Sequence, residues 1–286
     1  MKGQTPASDM NRPTFTRAGF LFAAAGLMVF LAVPVQAQRE VDAPSDEKEQ
    51  PRLQAAREHV QQLEMRGADG ERFEIIDHPL LAYDDPARVN SNGTVWAWGK
   101  TGRPVAFLEL FQGSSKDTSW VHAVTSTAAG DVTLTIPQLG RWHPPAKGIE
   151  WRVVEEAPSP DARPSSRLRQ IKDLARRFTG HEFWDPDNSR FELRVLPQPV
   201  HRYSDPGANI QDGAAFIIAH GTNPETVLLI EAVGASPKES RWHYALARSS
   251  HAEAHVELDG REVWKCDRAD ASNSGPAHYY WLFNAP

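Results

Sequence analysis

The residues best placed to do chemistry lie at His251, Glu253 and His255, with Glu257 continuing the same two-residue step. Residues two apart on a strand project from one face. Read as a strand, this stretch presents two imidazoles and a carboxylate together, a donor set for one Zn²⁺ or Fe²⁺ ion and a site for metal-assisted hydrolysis. A second candidate is the pair Glu109 and Glu231, each set inside an apolar run, VAFLELF and TVLLIEAV. A carboxylate on a half-buried face is costly unless partnered. Each therefore serves a nearby Arg, Lys or backbone donor, or else the two meet and one is pushed towards acid or base work by the other's charge. The third candidate is Trp120 with Trp242, in WVHAVTS and WHYALAR. These read either as aromatic anchors between sheet and helix or as platforms for stacking sugars and other rings.

Other signals are weak. The sequence contains no Walker loop, dinucleotide fingerprint, H-E-x-x-H, C-x-x-C or G-x-S-x-G. The single cysteine, Cys266, excludes an intrachain disulfide and reads as inert. A formal charge of −6 gives no electrostatic footprint for nucleic acid or anionic membrane.

All these residues belong to a duplicated pattern. GTVWAWGKTGRPVAFLELFQGSSKDTSWVHAVT, from Gly93, runs parallel to GAAFIIAHGTNPETVLLIEAVGASPKESRWHYALA, from Gly213. Gly93 falls on Gly213 and Pro104 on Pro224, while Glu109 falls on Glu231 and Trp120 on Trp242 after a shift of two. A residue kept in both copies is expected to serve the fold, and one present in a single copy is either surface drift or a specialised site. By that filter the His251, Glu253, His255 set faces a plain alternative. Module one carries Ala129, Asp131 and Thr133 in its place, and the opposite face is apolar in both copies, so the set also reads as a solvent-facing strand surface.

The elements that must position these residues follow from periodicity. Leu53, Ala56, His59, Val60 and Leu63 recur at helical steps, as do Leu168, Ile171, Leu174, Ala175 and Phe178 behind Ser166 as N-cap, with Gly180 beyond the end. After each helix the period changes to two, over stretches such as 94–99, 104–111 and 119–127 and their counterparts 213–219, 226–233 and 241–248. Short Gly-bearing connections make neighbouring strands antiparallel hairpins. The expected class is α+β: a tandem duplication of a module in which one N-terminal helix packs on an antiparallel β-sheet. Module one spans 51–154, a Pro-rich linker 155–165 and module two 166–286. Trp151 and Trp281 match near the module ends, which suggests a repeated last strand.

Residues 18–36 carry no charge and follow Arg12 and Arg17, the pattern of a signal peptide over 1–37 with cleavage before Gln38. Left uncleaved, the segment would anchor the chain in a membrane. Residues 38–50 read as a disordered acidic tether. WAWGKTGRPVAFLEL, RFELRVLPQPVHRY and the DGAAFIIAHGTNPETVLLIEA block with WHYALAR resemble secreted proteins of planctomycete bacteria over most of 72–264. The resemblance implies an exported protein and transfers no activity, cofactor or catalytic residue. The expected function is that of a non-catalytic secreted or periplasmic binding protein, with a protein, cell-envelope or polysaccharide partner and no nucleic acid. The alternative is a hydrolase using a metal ion at His251, Glu253 and His255.

Overall fold

The computed structural model describes residues 46–85, 88, 90–112, 119–146, 148–185, 187–236 and 238–285, all within one compact unit. The signal segment 1–37 and residues 38–45 of the tether lie outside the described residues. Repeat one contains helix α1 (Asp46–Val60) and strands β1 (Glu64–Gly67), β2 (Arg72–Phe73), β3 (Leu81–Asp85), β4 (Asn90–Trp98), β5 (Ala106–Gln112), β6 (Trp120–Ser126), β7 (Val132–Ile136), β8 (Gly140–Trp142) and β9 (Arg152–Val153). Repeat two contains α2 (Pro164–Ala175), β10 (Phe178–Trp184), β11 (Ser189–Val195), β12 (His201–Asp205), β13 (Ile210–His220), β14 (Asn223–Val233), β15 (Arg241–Arg248), β16 (Glu253–Leu258), β17 (Arg261–Cys266) and β18 (Tyr280–Ala285).

The α+β expectation is overturned. The protein is mostly β, with 50% of the described residues in strands against 12% in helix, and its longest sheet curls into a half-barrel of eight strands in a row, with β12 beside β13, rather than forming an α+β module with an N-terminal helix. The helices are also displaced from their expected positions. Residues 46–50, read as tether, form the first turn and more of α1, while α2 stops at Ala175 and Phe178–Trp184 is a strand. Gly180 lies inside β10, where a β-carbon would stand 2.8 Å from the His255 carbonyl, and so it is not a helix stop. Ser166 is not the N-cap either, because α2 begins at Pro164 behind Arg163 with no side-chain cap. Among the described residues no helix is long and apolar enough to cross a membrane.

The strand order repeats. In both halves a four-strand antiparallel run carries the paired glutamates, β3-β4-β5-β6 in the first and β12-β13-β14-β15 in the second. The runs β2-β1-β7-β8 and β11-β10-β16-β17 are likewise equivalent. The closing strands, however, are exchanged between halves. β18, at the end of repeat two, pairs with β6 of repeat one over six residues, and β9, at the end of repeat one, pairs with β15 of repeat two. A last strand therefore exists in each copy and serves the other, although the registers set Trp281 against position 150 and not against Trp151.

Each main sheet is buried on both faces, which is why β13 and β14 read as nearly continuous apolar runs. Trp96, Trp98 and Leu108 face a core within repeat one, while Phe216, Leu228 and Ile230 face one within repeat two. The opposite faces meet each other. Val95, Ala97 and Phe107 pack against Ala215, Ile217, Val227 and Leu229 as a junction core between the halves. Glu109 shares its strand face with Phe107, and Glu225 and Glu231 share theirs with Val227 and Leu229, so all three carboxylates point into the junction.

Helix α1 docks through an imidazole pair. His59 Nε2 and His122 Nε2 are 2.8 Å apart, so one ring donates and the other accepts, and the His122 ring stacks on Phe283 at 4.5 Å. Burial, reinforced by His59, lowers His122 to about 3, and burial lowers His59 as well. Folded values below the unfolded value near 6.5 mean stability that is present above that pH and is lost as pH falls towards 3. Thermal melts between pH 7 and pH 4 should therefore show an acid-side loss that is smaller in the double variant His59→Phe/His122→Phe than in the parent. Equal losses in the two proteins would rule out the pair as the acid-sensitive contact.

Candidate functional site

The two ends of the junction share twin tyrosines and glycines and are finished differently. In each repeat a tyrosine lies over a glycine on the neighbouring strand, Tyr83 on Gly93 and Tyr203 on Gly213. A β-carbon at either glycine would overlap the ring, so only glycine allows the approach. Each tyrosine hydroxyl then donates to a buried glutamate, Tyr83 to Glu109 and Tyr203 to Glu231. The glutamates are not register twins, which corrects the sequence alignment. Glu231 lies opposite Gly213, whereas Glu109 lies opposite Val95, two positions further along on the same face. The tryptophans are register twins, with Trp120 opposite Gln112 and Trp242 opposite Ala232. The two extra residues of repeat two therefore lie after Ala232, in the β14–β15 connection.

At the Glu231 end, Arg103 of repeat one crosses the junction. Its Nε and Nη2 donate to the two carboxylate oxygens at 2.7 and 2.6 Å, and its guanidinium lies 4.3 Å from the centre of the Trp151 ring. This is a bidentate, charge-assisted pair closed by an aromatic lid. At the Glu109 end the aligned residue is Asn223, which is too short to do the same. A cavity of about 190 Å³ remains there, with Arg88, Glu109, Asn223, Ser250, His251 and Tyr280 as its polar lining and Phe111, Trp184 and Leu282 as apolar walls. Asn223 Oδ1, His251 Nδ1 and the Tyr280 hydroxyl have no hydrogen-bond partner among the described residues. Burial raises Glu109 to about 8, against the opposing pull of the Tyr83 hydrogen bond and the Arg88 charge. At neutral pH it is mostly a neutral acid.

Arg88 forms the adjoining wall and holds a buried charge cluster. It donates through Nη1 to Glu225 at 2.6 Å and through Nη2 to Glu182, and its Nε lies 3.7 Å from Asp85. Glu182 and Glu225 are wholly buried. Burial, then the charge of Glu182, pushes Glu225 well above the carboxylate range, with Arg88 opposing. Trp184 closes this side, with Arg88 and Arg268 guanidinium carbons 5.1 and 5.3 Å from its ring centre.

Comparison with family models, curated proteins and solved structures finds no match.

The other sequence candidates are dispersed. Trp120 and Trp242 are buried in the cores of their own halves, so neither face is free to stack a ligand. Glu109 and Glu231 do not pair with each other. The like-charged pair that does meet is Glu182 with Glu225. The proposed metal face does not assemble. His251 precedes β16 and lines the junction cavity, whereas His255 lies on β16 with its two ring nitrogens engaged by Glu262 at 2.7 Å and Glu253 at 3.1 Å. Among the described residues no three His, Cys, Asp or Glu side chains converge to hold a metal ion. Burial raises the Cys266 thiol, consistent with an inert cysteine. Sequence reasoning passed over Arg88, Glu182, Asn223, Glu225 and Tyr280. Two signals pointed to them: Asn223 against Arg103, and Glu225 against Val105, are polar changes between otherwise matching copies.

Proposed function

We propose that the protein is an exported, non-catalytic binding protein whose ligand enters the cavity beside Glu109, at the open end of the junction between its halves. The observation that carries this reading is the contrast between the two ends. The position of Arg103 in one is held by the shorter Asn223 in the other, and Asn223 Oδ1, His251 Nδ1 and the Tyr280 hydroxyl of the cavity-lining residues lack protein partners among the described residues. Leaving a buried polar group unsatisfied costs about 1–3 kcal/mol, so several such atoms around one cavity favour an occupant that supplies the missing bonds. Export is supported by the uncharged stretch 18–36 behind Arg12 and Arg17. Catalysis is the weaker reading, because Glu182 and Glu225 are sealed by Arg88 and Glu109 is left as a lone acid in the cavity.

The test is an amide NMR titration of the mature chain with a panel of small cationic, neutral and anionic compounds. A binder should shift Asn223, His251 and Tyr280 together, and Asn223→Arg, which restores the twin's side chain, should abolish the response. A binder that acts equally on Asn223→Arg would place its site elsewhere and defeat the proposal.

A further inference from the structure

We infer that the cavity beside Glu109 is a receptor for a guanidinium group, filled at the twin end by the protein's own Arg103 and left open here for a ligand. The inference rests on the binding reading above and names the chemistry of what binds.

The template is internal to the molecule. Arg103 shows how this junction holds a guanidinium: a buried carboxylate braced by a tyrosine hydroxyl, two parallel N–H bonds and an aromatic face. At the open end the braced carboxylate is present as Glu109 with Tyr83, and the cation is missing. The unpartnered lining has the matching polarity. Asn223 Oδ1 can only accept, and the Tyr280 oxygen and His251 Nδ1 are able to, whereas a guanidinium offers five donors and no acceptor. A carboxylate or phosphate ligand would instead meet Glu109, and Arg88 in the same lining is already held by Glu182 and Glu225.

Charge and size agree. Arg88 is hydrogen-bonded or ion-paired to Asp85, Glu182 and Glu225, whereas Glu109 feels its charge but hydrogen-bonds only the Tyr83 hydroxyl. The cavity, about 190 Å³, is smaller than the ~300–1,000 Å³ of sites for drug-sized ligands. It suits one planar group with a short apolar stem between Phe111 and Leu282. Free guanidino compounds and an arginine side chain presented by a partner protein share this chemistry.

Binding requires Glu109 as a carboxylate, and so it is coupled to loss of the Glu109 proton. The titratable and charged groups around it are Tyr83 and Asp85 on β3, Arg88, Glu182 on β10, Glu225 on β14, Arg248 on β15, His251 before β16 and Tyr280 on β18. His251 is held low by burial and by Arg268 and Arg248, which leaves it neutral and able to accept. With Glu109 at about 8, affinity should fall about tenfold for each pH unit below that value and level off above it.

The experiment is calorimetric titration of the mature chain at pH 7 and pH 9, in two buffers, with ethylguanidinium and with an acetylated, amidated Gly-Arg-Gly peptide. Ethylammonium, acetate and acetamide serve as comparisons. Saturable binding of either guanidinium probe, about tenfold tighter at pH 9 than at pH 7 with proton release at pH 7, supports the inference. The tighter of the two probes identifies a free or a peptide-borne ligand. Asn223→Arg should lose the binding, and Glu109→Gln should weaken it and remove its pH dependence, which serves as the check if Asn223→Arg folds poorly. Equal binding of ethylammonium, or preference for acetate or acetamide, would overturn the guanidinium assignment while leaving a binding cavity. Silence from every probe would overturn both readings.

Discussion

Arg88→Met is expected to destabilise the protein by about 3–5 kcal/mol, the usual cost of removing one partner from a buried ion pair. For a chain of this size that is a fall in melting temperature of roughly 6–20 °C. The size of the effect comes from what stays behind. Glu182 and Glu225 are wholly buried, neighbour each other and share this guanidinium, with Asp85 on its third nitrogen. Without it the two carboxylates keep no buried counter-charge, and the folded pKa of Glu225, already raised by burial and by Glu182, rises further above its unfolded value. Stability gained by protonation is fully present below the unfolded value and is lost as pH rises. The variant should therefore be least stable at alkaline pH and recover on acidification. Glu182→Gln and Glu225→Gln added to Arg88→Met should restore much of the loss at neutral pH. Denaturant melts of the parent, Arg88→Met and the triple variant at pH 5 and pH 8 check this. A neutral-pH loss under 1 kcal/mol, or one that grows on acidification, would show that Arg88 is not the counter-charge.

Removing β18, by ending the chain at Ala277, is expected to abolish cooperative folding of repeat one at 25 °C. β18 supplies six residues of ladder to β6 and buries Tyr280, Phe283 and Ala285, with Phe283 and Ala285 in the core that also holds Trp96, Trp98 and Trp120. Two large buried side chains contribute about 1.5–3 kcal/mol each, before the unpaired β6 edge and the lost Tyr280 wall of the cavity are counted. That total is comparable with the ~5–15 kcal/mol net stability of a folded domain. Loss of the cooperative melt and of near-ultraviolet tryptophan dichroism, both restored by a peptide of residues 276–286 added in trans, is the expected result. A truncated chain that melts as sharply as the parent would mean that the exchanged strand is dispensable.

The duplication was legible because it left residues that only a shared geometry explains. Gly93 and Gly213 are kept because a tyrosine ring occupies the space of a side chain, and Trp120 and Trp242 hold the same register position. The hairpins were legible from alternation and turn glycines. The class was misread where two periods overlap. Phe178 continues the helical spacing of Ile171, Leu174 and Ala175, so the start of β10 reads as the end of α2, and Leu63 does the same for the chain entering β1. A short apolar strand such as YWLFNA carries no address, so nothing in its composition says which half it will join. The site was hidden by the way duplication was used as a filter. Kept residues drew attention to Glu109 and Glu231 as a pair. The informative change was a loss, Arg103 becoming Asn223, and a loss becomes visible only when the space around it is seen.

The exchange of β9 and β18 gives the molecule the connections of two identical chains that trade their C-terminal arms, with segment 155–165 as the one added joint. In an assembly of two separate identical chains every residue at the interface occurs twice, and an arginine given up at one end is given up at the other. Joining the copies covalently releases that constraint. One end can keep its arginine as a permanent internal clasp while the other surrenders it, so a symmetric contact becomes a molecule with a front and a back.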